Sequence, residues 1–261
     1  MTLKGKSAVV TGSSSGIGLG IARALAGQGV NVMLNGFGDA PETIAKLKAE
    51  IAAFGVKVEY NPADVSKPDQ ITAMIDEATK SFGGVDILVN NAGIQFVSPI
   101  DQFPIEKWDA VIATNLSSVF YATHHVLAGM RSKGWGRVIN IASVHGLVAS
   151  AGKSAYVAAK HGVVGFTKTT ALEMAGSGVT SNAICPGWVL TPLVQKQIDA
   201  LAAKEGLTNA QASDKLLAEK QPSKQFVTTE QIGELALFLC SDAANQITGT
   251  AYNIDGGWVA Q

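Results

Sequence analysis

The length, composition and charge of the chain limit the kinds of protein that it can be. It has 261 residues, of which 47% are hydrophobic and 28 are glycines, and this suits one tightly wound α/β domain with a sizeable core. The formal net charge is −1 and the positive charges are scattered, which argues against a nucleic-acid or anionic-membrane partner. The sequence contains no recognisable signal peptide and no apolar run long enough to span a bilayer.

The two cysteines, Cys185 and Cys240, are flanked by apolar residues and lack metal-ligand spacing. We therefore expect reduced thiols packed in the core of a cytoplasmic protein. Nothing in the sequence demands a metal site.

The first element is a strand, a glycine turn and a helix. The apolar run 7–10 predicts a buried parallel strand, and the segment Thr11–Gly18 that follows carries glycines at 12, 16 and 18. In this position the turn favours binding of a dinucleotide pyrophosphate at the helix N-terminus over a mere turn. Its spacing, G-x-x-x-G-x-G, differs from the G-x-G-x-x-G fingerprint.

The second strand, predicted at 30–34, ends in the loop Asn35–Asp39. An acid near this point commonly binds the adenosine ribose and selects NAD over NADP, but Asp39 comes late in the loop. The loop has no Arg or Lys to receive a 2′-phosphate, so NAD is favoured by the absence of a basic group. Phe37 is a candidate to pack against the ribose, or a plain loop aromatic.

Polar residues follow the next strands at their carboxyl ends. Asp64 comes after a strand predicted at 57–60 and is either an adenine acceptor or a helix cap. The segment Asn90–Gly93 follows a strand predicted at 85–89 and suits a turn that approaches a ligand closely. A single helix is then predicted over 108–130, with Asn115 at an unfavourable mid-helix position that calls for a partner.

The second half of the chain holds the candidate catalytic side chains. Ser143 and His145 follow a strand predicted at 137–141, where ligands bind in open α/β sheets. Tyr156 and Lys160 are four residues apart in a predicted helix, so they share one face. A lysine beside a tyrosine favours phenolate and lowers the tyrosine pKa, as a general acid/base requires. Taken alone, the pair also fits an ordinary helix face.

The remaining segment follows a strand predicted at 180–184. Residues 191–225 contain two amphipathic helical patterns and no strand, which is long for a simple connection and suggests a lid over the substrate. A last helix around 231–239 and a short strand lead to Trp258. We expect one domain over 1–261, with the lid as an insertion.

Together these motifs resemble the short-chain dehydrogenase/reductase family over essentially the whole chain. The residues that carry the resemblance are Thr11–Gly18, Asp64, Asn90–Gly93, Asn115, Ser143, Tyr156, Lys160, Pro186, Gly187 and Asp255–Gly257. The family implies a Rossmann-type doubly wound parallel sheet of about seven strands with helices on both faces. It also implies a nicotinamide cofactor and a homotetramer.

The resemblance further implies residue roles. Tyr156 would be the acid/base, Lys160 would lower its pKa, Ser143 would hold the reacting oxygen and Asn115 would support a water in the proton relay. The implied cofactor-binding residues are Thr11, Gly12, Ser14, Ser15, Gly16, Ile17, Gly18, Phe37, Asp64, Val65, Asn91, Ala92, Gly93, Tyr156, Lys160, Pro186, Gly187, Val189 and Thr191.

Further segments are similar to the bacterial members of the family that act on D-3-hydroxybutyrate. The resemblance is carried by Asn35–Asp39, Asn91–Gln95, Ser143–Ser150, Lys153–Tyr156, Cys185–Trp188, Pro192–Gln197 and Asp255–Trp258. It implies that the substrate carboxylate is bound by Gln95, His145, Lys153 and Gln197. Trp188 and Trp258 would form an apolar wall. Without the resemblance, His145 is read as a turn or core histidine and Lys153 as solvated surface.

The expected function is a reversible, NAD-dependent oxidation of D-3-hydroxybutyrate to acetoacetate. The enzymatic alternative is an NADPH-dependent reductase of 3-oxoacyl thioesters or another short-chain reductase. It would favour basic residues near the glycine turn or after the second strand, and these are missing. An alternative of another class is a non-catalytic nucleotide-binding protein, which would have no need for Ser143, Tyr156 and Lys160 together.

Overall fold

A computed structural model describes residues 2–260, and its centre is a seven-stranded parallel sheet. The strands are β1 Ser7–Val10, β2 Asn31–Asn35, β3 Val58–Asn61, β4 Ile87–Asn90, β5 Gly136–Ile141, β6 Val179–Pro186 and β7 Ala251–Ile254. Their order is β3-β2-β1-β4-β5-β6-β7, so the direction of winding reverses between β1 and β4, where open α/β sheets bind ligands. This is the Rossmann-type, doubly wound sheet that the sequence predicted.

Helices cover both faces of the sheet because alternate strand residues point to opposite faces. Val10, Leu34 and Val89 lie in one apolar core with α1 and α9, whereas Val9 and Met33 lie in a second core with α3 and α5. The helices are α1 Gly16–Gly27, α2 Pro41–Ala52, α3 Pro68–Phe82, α4 Ile105–Ile112, α5 Ser118–Lys133, α6 Ser154–Glu173, α7 Pro192–Glu205, α8 Asn209–Lys220 and α9 Thr229–Cys240.

The helix predicted over 108–130 is present, but it is not α-helical throughout. Helical backbone continues without a break through α4, a π-helical turn, Ala113–Ser117, and α5. Asn115 lies in the turn, and its side chain hydrogen-bonds the backbone of Ile94. π-helical turns inside helices are frequent at functional sites. Asn115 thus has the partner that a mid-helix asparagine needs.

The segment proposed as a lid contains the two predicted helices, α7 and α8. They do not pack on either face of the sheet but form a separate apolar cluster with Trp188 and Trp258. Between residues 2 and 260, none of the helices combines the length and apolar composition needed to span a bilayer.

Candidate active site

A cavity of about 810 Å³ lies along the carboxyl ends of the strands. We call one part of its wall the glycine-turn end, formed by residues within 12–17, 35–37, 63–67 and 91–93. We call another part the tryptophan end, formed by Ser143, His145, Lys153, Trp188 and Trp258. Three of the residues predicted for the site do not line the cavity: Thr11, Gly18 and Asn115.

Thr11 and Asn91 join the turns that follow β1 and β4. The Thr11 hydroxyl accepts hydrogen bonds from the backbone N–H groups of Asn91 and Ala92, both at 3.0 Å. The Asn91 side chain donates to the carbonyls of Thr11 at 2.8 Å and Gly12 at 2.9 Å. These two side chains therefore position the turns, and the backbone of the turns lines the cavity.

Gly18 allows α1 to start close against the glycine turn. A Cβ at this position would overlap the Asn91 side-chain amide and would lie 2.9 Å from the Cα of Ser13. The helix begins beside the cavity, and its N-cap residue, Ser15, makes no side-chain capping hydrogen bond. Its first turn carries no acidic residue. Free N–H groups and a positive helix terminus make this end suitable for the pyrophosphate of a dinucleotide.

Asn35 is a cavity-lining residue that sequence reasoning did not single out. It is buried at the end of β2, and its side-chain oxygen accepts from the Gly12 N–H at 3.0 Å. Its amide donates to the carbonyls of Asn61 and Ala63, both at 3.0 Å. One side chain thus connects three strand-end turns at the glycine-turn end. The sequence feature that could have identified it is an asparagine directly after the apolar run of the second strand.

Asn115 lies behind the cavity and positions its wall. Its side-chain oxygen accepts from the Ile94 N–H at 2.8 Å, and its amide donates to the Ile94 carbonyl at 2.9 Å. It thereby fixes the segment that carries Gly93 and Gln95, which do line the cavity. Its role in supporting a relay water stays a prediction.

Ser143, Tyr156 and Lys160 meet where β5 ends and α6 begins. The Lys160 ammonium donates to the Ile141 carbonyl at 2.7 Å and lies 5.6 Å from the centre of the Tyr156 ring. Burial lowers the pKa of Lys160 to about 8. Burial also raises the pKa of Tyr156, and a hydrogen bond with Ser143 acts in the opposite direction.

The direction of the Tyr156 shift differs from the prediction based on its spacing from Lys160. Spacing places the two side chains on one helix face, but it does not show how strongly each is buried. Burial disfavours both the phenolate and the ammonium, and it is the largest influence on each pKa.

His145 is buried and neutral beside the catalytic candidates. Burial, followed by the charge of Lys153, lowers its pKa to about 4. Its Nε2 is 2.9 Å from the Ser150 hydroxyl and its Nδ1 is 3.4 Å from that of Ser143. The ring centre lies 5.9 Å from that of Tyr156. His145 is therefore a core histidine that also lines the cavity, where it offers a neutral ring.

Lys153 is half-buried rather than solvated surface. Its ammonium lies 5.2 Å from the centre of the Trp188 ring, and the Trp188 and Trp258 rings are 5.6 Å apart. Burial lowers the pKa of Lys153, while the charge of Glu219 raises it. The structure thus brings one cation and two aromatic walls together, and Gln95 and Gln197 line the same cavity.

Gln221, also missed from the sequence, connects the end of α8 to the tryptophan end. The residue is fully buried. Its side-chain oxygen accepts from the backbone N–H of Trp188 at 2.8 Å, and its amide donates to the Gln225 carbonyl. The sequence did not predict this contact, because Gln221 follows a helical pattern in which a glutamine is expected to be exposed.

The comparisons with known proteins agree with this geometry. A family profile described as "Enoyl-(Acyl carrier protein) reductase" matches residues 12–259. A D-beta-hydroxybutyrate dehydrogenase of Cupriavidus necator is 62% identical over 99% of this chain and 100% of its own length. The chain belongs to the short-chain dehydrogenase/reductase family. It is therefore an oxidoreductase of a family that binds a nicotinamide cofactor.

Other members show how widely this family scaffold is shared. A D-beta-hydroxybutyrate dehydrogenase of Rhizobium meliloti is 56% identical over 98% of this chain and 99% of its own. The crystal structure of an actinorhodin polyketide ketoreductase with NADPH has a TM-score of 0.91 and 36% identity, covering 97% of both chains. That likeness extends the fold to a reductase that carries NADPH, so the scaffold alone does not decide the cofactor.

Proposed function

We propose that the protein catalyses the reversible oxidation of D-3-hydroxybutyrate to acetoacetate with NAD. The observation that carries the proposal is the tryptophan end of the cavity, where Lys153 and two tryptophans lie beside Ser143 and Tyr156. A small hydroxy acid needs one cation, several donors and an apolar wall for its short carbon chain. Relatives named for D-beta-hydroxybutyrate that are 62% and 56% identical support the same substrate.

The glycine-turn end would hold the dinucleotide. Its N–H groups at the start of α1 suit the pyrophosphate, and Asp64 and Val65 line the cavity where the adenine is expected. Pro186, Gly187, Val189 and Thr191 line it after β6 and would contact the nicotinamide. When bound, the oxidised dinucleotide supplies a hydride acceptor and a positive charge.

Tyr156 would move the proton. In the oxidative direction its phenolate accepts the hydroxyl proton of the substrate, and in the reductive direction the phenol returns it. Ser143, hydrogen-bonded to Tyr156, would hold the reacting oxygen. The nearby Lys160 ammonium favours the phenolate against the opposing effect of burial.

Lys153 would select the acid. Its ammonium is the charge partner for a carboxylate. Gln95, Gln197 and His145, which line the same cavity, would hydrogen-bond that carboxylate. Gln197 lies on α7, so closure of the segment 191–225 would complete the site. A homotetramer and a cytoplasmic location are further proposals, which rest on the family resemblance.

The alternative, reduction of a 3-oxoacyl thioester with NADPH, has support of its own. A 3-oxoacyl-[acyl-carrier-protein] reductase of Staphylococcus epidermidis is 39% identical over 97% of this chain and 98% of its own length. Such a substrate replaces the free carboxylate by a neutral thioester with a long arm. Lys153 would then have no charge partner in the substrate.

Absorbance at 340 nm separates these functions in one experiment. The protein is mixed with NAD or NADP and D-3-hydroxybutyrate or its L-enantiomer, and separately with NADH or NADPH and a 3-oxoacyl thioester. We expect turnover with the D-acid and NAD. Faster turnover of the thioester with NADPH would favour the reductase, and binding of dinucleotide without any turnover would favour a non-catalytic protein.

A further inference from the structure

His145 has a serine hydroxyl at each of its two ring nitrogens. Nε2 lies 2.9 Å from the hydroxyl of Ser150, and Nδ1 lies 3.4 Å from the hydroxyl of Ser143. Ser143 lines the cavity and is hydrogen-bonded to Tyr156. Ser150 does not line the cavity but is half-buried in the loop before α6, between two exposed alanines. We call these four side chains the hydrogen-bonded row, and it leads from that loop to Tyr156.

The direction of the hydrogens in the row depends on the histidine ring. A neutral imidazole carries one N–H, so one of its nitrogens donates and the other accepts. The ring of His145 is neutral above its pKa of about 4, which burial and neighbouring cations keep low. A serine hydroxyl has one hydrogen to donate and two lone pairs that accept. The row therefore has two possible arrangements, in which its hydrogens all point toward Tyr156 or all point away from it.

The proposed chemistry selects one of these arrangements. A phenolate at Tyr156 has no hydrogen and only accepts, so Ser143 must donate its single hydrogen to the phenolate or to the reacting oxygen. Ser143 then meets Nδ1 of His145 only as an acceptor, as it already does for the backbone N–H of that residue at 3.2 Å. Nδ1 must therefore carry the ring hydrogen. Nε2 is left as a bare acceptor, and the Ser150 hydroxyl at 2.9 Å is placed to donate to it.

We propose that Ser150 is a positioning residue that donates to Nε2 of His145 and thereby keeps the ring hydrogen on Nδ1. The hydrogen bond that one ring nitrogen makes decides which nitrogen carries the hydrogen. All hydrogens of the row then point toward Tyr156, and each donor strengthens the next because linked hydrogen bonds polarise one another. The arrangement favours the phenolate and opposes the burial that raises the pKa of Tyr156.

The same Nδ1–H is the donor that His145 would offer to a substrate carboxylate. Both uses of the ring thus need the form that Ser150 selects. The inference rests on the proposed function, in which Tyr156 is the base, and names a residue outside the cavity wall that prepares it. Both serines belong to the folded chain, so we expect the arrangement to be present before any ligand binds.

The competing role for Ser150 is an ordinary contact within the loop. With the ring hydrogen on Nε2, Ser150 accepts a hydrogen bond instead of donating one. Nδ1 then takes the hydrogen of Ser143, and Tyr156 loses that donor. In this arrangement, replacing Ser150 would affect the stability of the loop but not the ionisation of Tyr156. The two roles therefore differ in the nitrogen that carries the hydrogen.

The direct test is a nitrogen NMR spectrum of the protein with isotope-labelled histidine, recorded at neutral pH without dinucleotide or substrate. The chemical shifts separate a ring nitrogen that carries hydrogen from a bare one, and His145→Gln assigns the signals. We expect hydrogen on Nδ1 in the wild-type protein and in Ser150→Thr, which keeps the hydroxyl. Ser150→Ala should lose this preference. A wild-type ring with its hydrogen on Nε2, or signals that Ser150→Ala leaves unchanged, would overturn the proposal.

The pH dependence of kcat for oxidation of D-3-hydroxybutyrate tests the consequence for Tyr156. On the acid limb, kcat rises as Tyr156 loses its proton. Ser150→Ala should move the midpoint of this limb to higher pH by roughly half to one pH unit, the effect of one hydrogen bond, and should leave the high-pH plateau nearly unchanged. Ser150→Thr should restore the midpoint. Ser132→Ala, at an exposed position of α5, is the matched control.

The titratable groups around the row are the same in all these variants. Those near Tyr156 and His145 are Lys153, Lys160 and His161 on α6, Cys185 on β6 and Lys220 on α8. Burial raises the pKa of Cys185 to about 11 and lowers that of Lys160 to about 8, and both groups titrate alike with or without the Ser150 hydroxyl. A shifted midpoint in Ser150→Ala therefore comes from the row.

A fall in kcat by the same factor at every pH, with an unchanged midpoint, would show the structural role and overturn the proposal. Failure of the protein to oxidise D-3-hydroxybutyrate would instead count against the proposed function. The NMR spectra would still show which nitrogen of His145 carries the hydrogen, because they need no turnover.

Discussion

At the glycine-turn end the polar side chains hydrogen-bond to the backbone of neighbouring turns, whereas at the tryptophan end they face the cavity. Asn35 and Asn91 bind backbone groups there, and Thr11, which lies behind the cavity wall, does the same. Lys153 and His145 instead sit beside tryptophans, with pKa values lowered by burial. The first arrangement presents a fixed array of N–H groups, while the second presents individual side chains. The glycine-turn end therefore suits a ligand that binds backbone groups. At the tryptophan end, replacing a single side chain would change the groups that a substrate meets.

The largest effect is expected from a substitution that abolishes catalysis and leaves the glycine-turn end unchanged. Tyr156→Phe removes the proton acceptor while keeping the ring, so kcat for D-3-hydroxybutyrate should fall by about 10²–10⁴-fold. The dissociation constant of NADH should change little, because the ring of Tyr156 is kept and the pyrophosphate would bind at the start of α1. Near-normal turnover would show that another group moves the proton, and a parallel loss of NADH binding would show that the two ends are not separable.

The next prediction concerns the pH dependence of stability at the tryptophan end. His145 has a folded pKa of about 4, below the ordinary value of 6.5, so between these values the unfolded chain binds the extra proton. Stability should therefore fall as pH decreases from 6.5 toward 4. His145→Gln should remove up to roughly 3 kcal/mol of that loss. Urea unfolding at pH 7 and pH 4.5 measures it, and equal pH slopes in the two proteins would contradict it.

A smaller effect should appear where α8 joins the tryptophan end. Gln221→Ala leaves the buried backbone N–H of Trp188 without its acceptor. An unsatisfied buried donor costs about 1–3 kcal/mol of stability. The free energy of unfolding should fall by this amount, and the KM for hydroxybutyrate should rise while NADH binding is retained. Gln246→Ala, at an exposed position beyond α9, is the matched control. Equal stability losses in both variants would argue against a special role for Gln221.

The sequence predicted the fold well because its strongest signals are local. Short apolar runs followed by polar or glycine-containing turns identified the strands, and residues just beyond β1 to β6 line the cavity. The π-helical turn inside the helix predicted over 108–130 was not predicted. The spacing of residues within the helix does not show that Asn115 binds Ile94, 21 residues away.

Burial and contacts between residues that are distant in sequence explain the other differences between the predicted and the observed site. Spacing alone suggested that Lys160 lowers the pKa of Tyr156, whereas burial in the folded protein raises it. Asn35 and Gln221 bind turns that are distant in sequence. Such contacts depend on three-dimensional placement, which a single sequence does not show.

The most direct test of the account is whether Lys153 recognises a free carboxylate. The measurement is kcat/KM for D-3-hydroxybutyrate and for its methyl ester, in the wild-type protein and in Lys153→Met, with Lys168→Met on the exposed face of α6 as control. The wild-type protein and the control should prefer the acid. In Lys153→Met the KM for the acid should rise by roughly 10- to 100-fold and the preference should largely disappear. An acid-to-ester ratio that is unchanged in Lys153→Met would contradict the account.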